Sequence, residues 1–320
     1  MNCLGKITVL LLLVCLILPF SVITTQPCEA QYGQVVINAN GTIEPATAPI
    51  QRIGETYILT GDVGSITIKK SNIVLDGMGY KMPGKVSFVD SLGNNVTANN
   101  AGGIFLNKVD KVTVKNLLIK DSQTGVYLEQ STNCVITNNT IVGTHAIVPG
   151  LQVTAAVFVW GGNNSIITEN KLEDNYSGLY LGYDSQNTIL KNNITGSTYT
   201  AIALWNSSNR LYCNNFVDNE VQVSVIDHCI NIWDNGEKGN FWSDYNGLGI
   251  YVINENNIDH YPLSQSVDIH SVAPSQTVDP EQNPVQTQTI IAIAVVAVMV
   301  IAIATLSIYR RHQKTASLNK

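Results

Sequence analysis

The residues of this 320-residue chain best suited to chemistry are aromatic rings at a repeated spacing. Phe105, Tyr127, Phe158 and Tyr180 follow one another at steps of 22, 31 and 22 residues, and Ala203 is next in the series. Two residues beyond these positions stand Asn107, Glu129, Trp160, Gly182 and Trp205. Flat apolar rings beside hydrogen-bonding groups suit sugars. The rings meet the C–H faces of a pyranose, and carboxylates and amides take its hydroxyls. The candidate ligand-binding set is Phe105, Tyr127, Phe158, Trp160, Tyr180 and Trp205 as a stacking platform, with Glu129 and Asp184 as polar partners and Tyr183 at the rim. This chemistry favours binding of a glycan or cell-envelope polysaccharide, names no catalytic residue and implies no cofactor.

Such a platform needs a backbone that sets residues about 22 apart side by side, and the surrounding sequence repeats with that period. Gly178-Leu179-Tyr180-Leu181 leads to Asn192-Asn193-Ile194, and Ala201-Ile202-Ala203-Leu204 leads to Asn214-Asn215-Phe216. Earlier units run from Ala156-Val157-Phe158-Val159 to Asn170, from Gly125-Val126-Tyr127-Leu128 to Asn139, and from Gly103-Ile104-Phe105-Leu106 to Asn116. Those Asn markers step by 23, 31, 22 and 22 residues, and a fixed period of this size means stacked repeats. Short alternating apolar runs separated by Asn, Ser, Gly and Asp are strands between turns, with no helical stripe. The expectation is an all-β parallel β-helix, each unit one coil of three strands and the step of 31 a protruding insertion at Thr144 to Thr154. If Ile104/Leu106, Val126/Leu128, Leu179/Leu181 and their equivalents point inward, the aromatic series points out. The Asn markers, and a second set at Ser131-Asn133, Ser185-Asn187 and Ser207-Asn209, are expected to be turn stacks with a structural role.

Further motifs carry a resemblance. Ser71-Asn72-Ile73-Val74-Leu75-Asp76-Gly77-Met78-Gly79-Tyr80 opens the repeats, and Gly239-Asn240-Phe241-Trp242-Ser243-Asp244-Tyr245 closes them, followed by Ile258-Asp259-His260-Tyr261-Pro262-Leu263. From about Ile66 to Leu263 the chain resembles the right-handed parallel β-helix repeats grouped around the periplasmic NosD protein and the carbohydrate-binding and sugar-hydrolase (CASH) domains. The ending is the more specific part and is similar to archaeal members. The resemblance implies two further readings. A pectin-lyase or polygalacturonase type of enzyme would cluster carboxylates on one sheet, and Glu129, Asp174 and Asp184 are the available set. The chain has no Asp-Asp pair, Gly-His-Gly or Arg-x-Lys motif. A NosD-like role in copper-centre assembly would need convergent His, Met or Cys. His145, His228, His260, His270 and His312 are spread apart, and Met78 and Met82 read as packing residues. Cys134 stands alone, while Cys213 and Cys229 either pair or remain small buried residues. A structural or adhesive spacer is the remaining reading.

In chain order, residues 1–30 read as a signal peptide, with Lys6 ahead of an apolar run from Ile7 to Phe20. Residues 31–64 read as an N-terminal cap, 65–238 as β-helix repeats and 239–265 as a C-terminal cap motif. Residues 266–289, rich in Ser, Gln, Pro and Thr, read as a flexible linker. Residues 290–308 carry no charge and precede Arg310 and Arg311. As a helix they span roughly 29 Å, enough to cross a bilayer. Residues 309–320 then form a cytoplasmic tail and the β-helix lies outside the cell, a single-pass cell-membrane protein. With 18 basic and 24 acidic residues and a net charge of −6, the chain is not expected to bind nucleic acid. Of seven Asn-x-Ser/Thr sequons, Asn95 and Asn163 are the favoured glycosylation candidates.

Overall fold

A computed structural model of the chain describes residues 33–83, 85–89, 95–99, 103–145, 154–227 and 229–269. The expected signal peptide, membrane span and tail lie outside these residues, as do most of the linker and residues 146–153 of the long insertion. Among the described residues no helix is long and apolar enough to cross a membrane.

The described chain winds through three parallel sheets in strict rotation. The first sheet includes Ser65–Ile68, Ile104–Asn107, Val126–Glu129, Val157–Trp160, Ser177–Gly182, Thr200–Trp205 and Val223–Asp227. The second includes Ile73–Asp76, Val112–Lys115, Val135–Thr137, Ile166–Thr168, Ser185–Leu190 and Ser208–Tyr212. The third includes Lys81–Pro83, Leu118–Lys120, Thr140–Val142, Lys171–Glu173, Asn193–Thr195, Asn215–Val217 and Phe241–Trp242. Sequence alternation becomes apolar columns: Ile104, Val126, Val157, Leu179 and Ile202 stack in register, all at 2% exposure or less. This is a parallel β-helix. A hairpin of Lys85–Val89 with Asn95–Asn99, which the sequence did not announce, forms a separate antiparallel sheet between two coils.

Polar repeat residues build the corners. In the coil starting at Gly103, Lys108, Lys111, Asn116 and Asp121 all have positive φ, and the next two coils repeat this at Gln130, Asn133, Asn138 and Gly143, then Gly161, Asn164, Glu169 and Asp174. Two strands joined by so few residues change direction only through left-handed backbone, which Gly, Asn and Asp adopt most readily.

Beside each corner runs a buried amide ladder. Asn139 N–H donates to Asn170 Oδ1, Asn170 N–H to Asn192 Oδ1, Asn192 N–H to Asn214 Oδ1 and Asn214 N–H to Asn240 Oδ1, all at 3.0–3.1 Å. The expected marker Asn116 is not a member. Strand register sets Leu118 against Thr140, so the ladder position of that coil is Leu117, whose N–H donates to Asn139 Oδ1 at 3.1 Å. Asn116 instead bonds Asp76 and Asn138 at the surface turn. The second turn stack shifts likewise. It runs through Ser165, Asn187, Asn209, Asn231 and Asn257, with Cys134 in place of Asn133.

Both ends are closed. The solenoid begins before residue 65, because Gln34–Ile37 pairs in parallel with Ser65–Ile68 and Thr56–Leu59 with Ile73–Asp76. Ile43–Glu44 and Ile50–Ile53 then add antiparallel to those rungs and cover their edges. At the other end Trp242 stacks on Phe216 at 4.3 Å and under Tyr251 at 4.3 Å, plugging the core with rings. Asp259 closes the amide ladder by accepting from Asn240 N–H at 2.7 Å and Trp242 Nε1–H at 3.0 Å. The residue beside it has to be glycine, since a Cβ on Gly239 would collide with the Asp259 carboxylate. Gly239→Ala should therefore lower unfolding stability by about 2 kcal/mol in a urea titration, the usual cost of overpacking. An unchanged midpoint would refute the ladder-closing role. Residue 267, inside the stretch expected to be a flexible linker, is held to the coils instead, for Val267 is bonded to Asn215 in both directions.

Candidate functional site

The outward positions of the first sheet form two columns. Phe105, Tyr127, Phe158, Tyr180 and Ala203 are in register on successive coils, and beside them run Asn107, Glu129, Trp160, Gly182 and Trp205. Parallel strands lie ~4.8 Å apart, so rings on adjacent rungs touch. The observed centroid distances are 5.1 Å for Phe105–Tyr127, 5.0 Å for Tyr127–Phe158 and 4.6 Å for the stacked pair Phe158–Tyr180. The aromatic face is thus a second apolar cluster outside the main core.

Contact on this scale has a consequence that alternation cannot reveal. Phe158 is only 3% exposed and Tyr180 only 6%, so the middle of the expected platform offers no free ring face. Burial also pushes the Tyr180 phenol up to about 12. Phe105, Tyr127, Trp160 and Trp205 are half-buried, and Tyr183 is 48% exposed.

Three of the accessible rings meet in one group. Trp160 and Trp205 sit two coils apart with Gly182 between them in register. A Cβ on Gly182 would lie 2.8 Å from Trp160 Cε3, so the missing side chain is what lets the indoles lean together. They meet edge-on at 5.7 Å, and Tyr183 joins them at 4.8 Å from Trp160 and 5.5 Å from Trp205. Half-buried Glu129 precedes Trp160 in its column. Sequence reasoning placed Tyr183 at the rim and passed over the pair Tyr176–Tyr199, stacked at 5.1 Å. Tyr199 is 46% exposed and directly precedes the strand that carries Trp205. The signal available was its position one residue before the strand Thr200–Trp205.

Asp184, expected as a polar partner of the rings, is buried instead. It is 4% exposed, and its carboxylate accepts from Asn187 Nδ2–H at 3.2 Å and Asn209 Nδ2–H at 3.0 Å inside the turn stack. A one-residue irregularity between Ser185 and Thr188 accompanies the change in register there. Burial raises its carboxyl to about 7 against the two amides. Asp184 therefore serves the fold and leaves the ligand set.

A β-helix solenoid with a continuous aromatic outer face is the class of protein that these columns define. Residues 48–247 match the family model described as periplasmic copper-binding protein (NosD), and the chain belongs to that family. Among solved structures it is similar to tailspike protein 2 of Escherichia coli O157:H7 bacteriophage CAB120, at 15% identity over 56% of this chain and 35% of that chain, with a TM-score of 0.29. It thus spans about a third of that tailspike. It is also similar to a double mutant of the periplasmic alginate epimerase AlgG, at 13% identity over 72% of this chain and 76% of that chain, with a TM-score of 0.22. No curated protein matches the chain.

The family description names copper, and the described residues do not fit it. Copper(I) calls for thiolate, thioether or imidazole groups converging on one point. Here Cys134 and Met82 are core side chains, Met78 is an exposed turn residue and His260 Nδ1 lies 3.0 Å from Asp234 Oδ2. Burial drives the Cys134 thiol up to about 11, away from the thiolate a metal would need. Cys213 and Cys229 are free thiols in different corners, so the disulfide left open above does not form. Among the described residues no three His, Cys, Asp or Glu side chains converge as ligands.

The sequons divide by burial. Asn175 is fully buried, accepting from Thr144 N–H at 3.0 Å and donating to Ile141 O at 3.0 Å, so it cannot present its amide to a transferase. Asn163 is half-buried and paired through its backbone to Thr132, while Asn206 is exposed at a left-handed turn beside Trp205. Asn95 begins a strand of the separate hairpin.

Proposed function

We propose that the chain is a cell-surface β-helix that binds a glycan or cell-envelope polysaccharide at the Trp160–Tyr183–Trp205 end of its aromatic face. The observation that carries this reading is a cluster of three contacting, partly exposed rings outside the core, next to the carboxylate of Glu129. A solenoid gains nothing in its core from such a cluster, and exposed apolar patches with polar borders are where binding surfaces concentrate. The coil stack extends the surface along its axis, which suits a chain of sugars better than a single one. Residues 7–20 and 290–308 support export and a C-terminal tether, with the sugar-binding domain outside the membrane.

The test is a glycan array probed with the full chain in a zwitterionic detergent, beside a Trp160→Ala/Trp205→Ala variant. Wild-type binding should fall about tenfold or more in the variant, as loss of two stacking rings implies. Because both side chains lie outside the main core, the far-UV circular dichroism should stay unchanged. Binding to no glycan, or equal binding by the variant, would end this reading.

A further inference from the structure

The outer face of the third sheet carries a cleft of about 650 Å³, on a different sheet from the aromatic columns of the first. Lys171, Asn193 and Asn215 line it from successive coils, set side by side by the parallel register. Its other side is the segment 266–269, which turns back across the sheet after Leu263 has bridged to Phe241. That segment is fixed by Asn215, whose Nδ2–H donates to Val267 O at 2.8 Å and whose Oδ1 accepts from Val267 N–H at 2.7 Å. A side-chain amide here copies a rung of β-ladder, so the wall of the cleft is built rather than draped. The volume lies within the ~300–1,000 Å³ of ordinary ligand sites.

The lining mixes apolar groups such as Val217 and Phe241 with polar ones, and its charge is unbalanced. Lys171 Nζ lies 2.9 Å from Glu173 Oε1, which commits the cation. Glu169 and Asp268 also line the cleft, and neither has an ion-pair partner among the described residues. A pyranose ring is about as long as the ~4.8 Å coil spacing, so consecutive sugars laid along the axis would face equivalent side chains of consecutive coils. The geometry points to a second saccharide site in this cleft, selective for chains of cationic amino sugars. The ammonium groups meet Glu169, Asp268 and the Glu173 edge of the ion pair, and Asn193 takes hydroxyls. Uronic-acid chains of the same length are repelled by the same carboxylates.

A glucosamine tetramer is the probe, titrated calorimetrically into the full chain in a zwitterionic detergent. Glu169→Gln/Glu173→Gln should weaken binding about tenfold, the weight of a lost charge-assisted contact. Glutamine is tolerated at the left-handed position of Glu169, since Gln130 and Gln186 hold such backbone elsewhere in the coils. Trp160→Ala/Trp205→Ala should bind the tetramer as wild type does, which separates this site from the aromatic one. In the wild type alone, affinity should drop as salt is raised, a readout that needs no variant to fold. No binding at millimolar tetramer, salt-independent binding, equal affinity in the glutamine variant, or equal binding of a galacturonate tetramer would each overturn the assignment.

Discussion

Asn170→Ala is expected to lower the unfolding free energy by about 4 kcal/mol, while Asn116→Gly costs under about 1 kcal/mol. Both residues stand at the same kind of corner, and both were equal members of one series in the sequence. Asn170 is fully buried and its side chain makes five bonds. Oδ1 accepts from Asn139 N–H and Nδ2–H, and Nδ2–H donates to Ile136 O, Thr168 O and Asn192 Oδ1, all at 2.8–3.0 Å. Alanine would leave the buried Asn139 N–H and the buried Ile136 carbonyl without these partners. Asn116 is half-buried, its two side-chain bonds are to Asp76 and Asn138, and glycine keeps the left-handed backbone at φ 59°. Urea unfolding of the full chain measures both, and equal losses would refute the ladder as a determinant of stability. Because each coil touches only its neighbours, the Asn170 variant should open locally first. Hydrogen exchange should accelerate from Ile136 to Asn192 before it does at either cap.

The ladder also explains why the outer face is ordered. Amides bonded from coil to coil forbid a slip of one residue, and such a slip would turn every outward ring inward. The regular columns Phe105–Tyr127–Phe158–Tyr180 and Lys171–Asn193–Asn215 are therefore products of the interior.

How much of this was legible follows from what each signal measures. Alternation in Ile104/Leu106 and its equivalents states which side chains share a face, and the face came out as read. It does not state what lies over that face, so the burial of Phe158 and Tyr180 under their own neighbours was invisible. The misplaced Asn116 did leave a trace. Among steps of 22 its step of 23 was the anomaly, and counting 22 back from Asn139 lands on Leu117. Leucine was not sought in a series of amides. Asp184 was read as a polar partner of the rings, yet it is buried in the corner while its neighbour Tyr183 stays exposed, a difference that strand alternation does not extend to a turn. The terminal Gly239-Asn240-Phe241-Trp242 signature was recognised as a pattern, and its physical content is the plug and the closing carboxylate. The cleft on the third sheet depends on 266–269 folding back, a tertiary event that a Ser- and Gln-rich composition does not encode.

Asp184 should make the β-helix lose stability as pH rises, by about 4 kcal/mol between about pH 4 and pH 7. Its carboxyl titrates near 3.8 in an open environment and at about 7 in the fold, because burial in the turn stack disfavours the charge. The folded chain therefore holds the proton through a window in which the unfolded chain has released it. Fewer protons bound to the unfolded state means that stability falls with increasing pH across the window and is flat above it. Asp184→Asn removes the titration but turns one N–H₂ toward Asn187 or Asn209, each of which offers an N–H of its own. One hydrogen bond is thereby lost at every pH. The variant should be less stable than wild type by about 1 kcal/mol near pH 4 and more stable by about 3 kcal/mol near pH 8. Subtracting one protein from the other cancels the remaining carboxylates, so the measurement is the difference in urea midpoints at the two pH values. A difference that changes sign assigns the buried proton to Asp184. A difference independent of pH means that the two amides hold the carboxylate charged, and the titration belongs elsewhere.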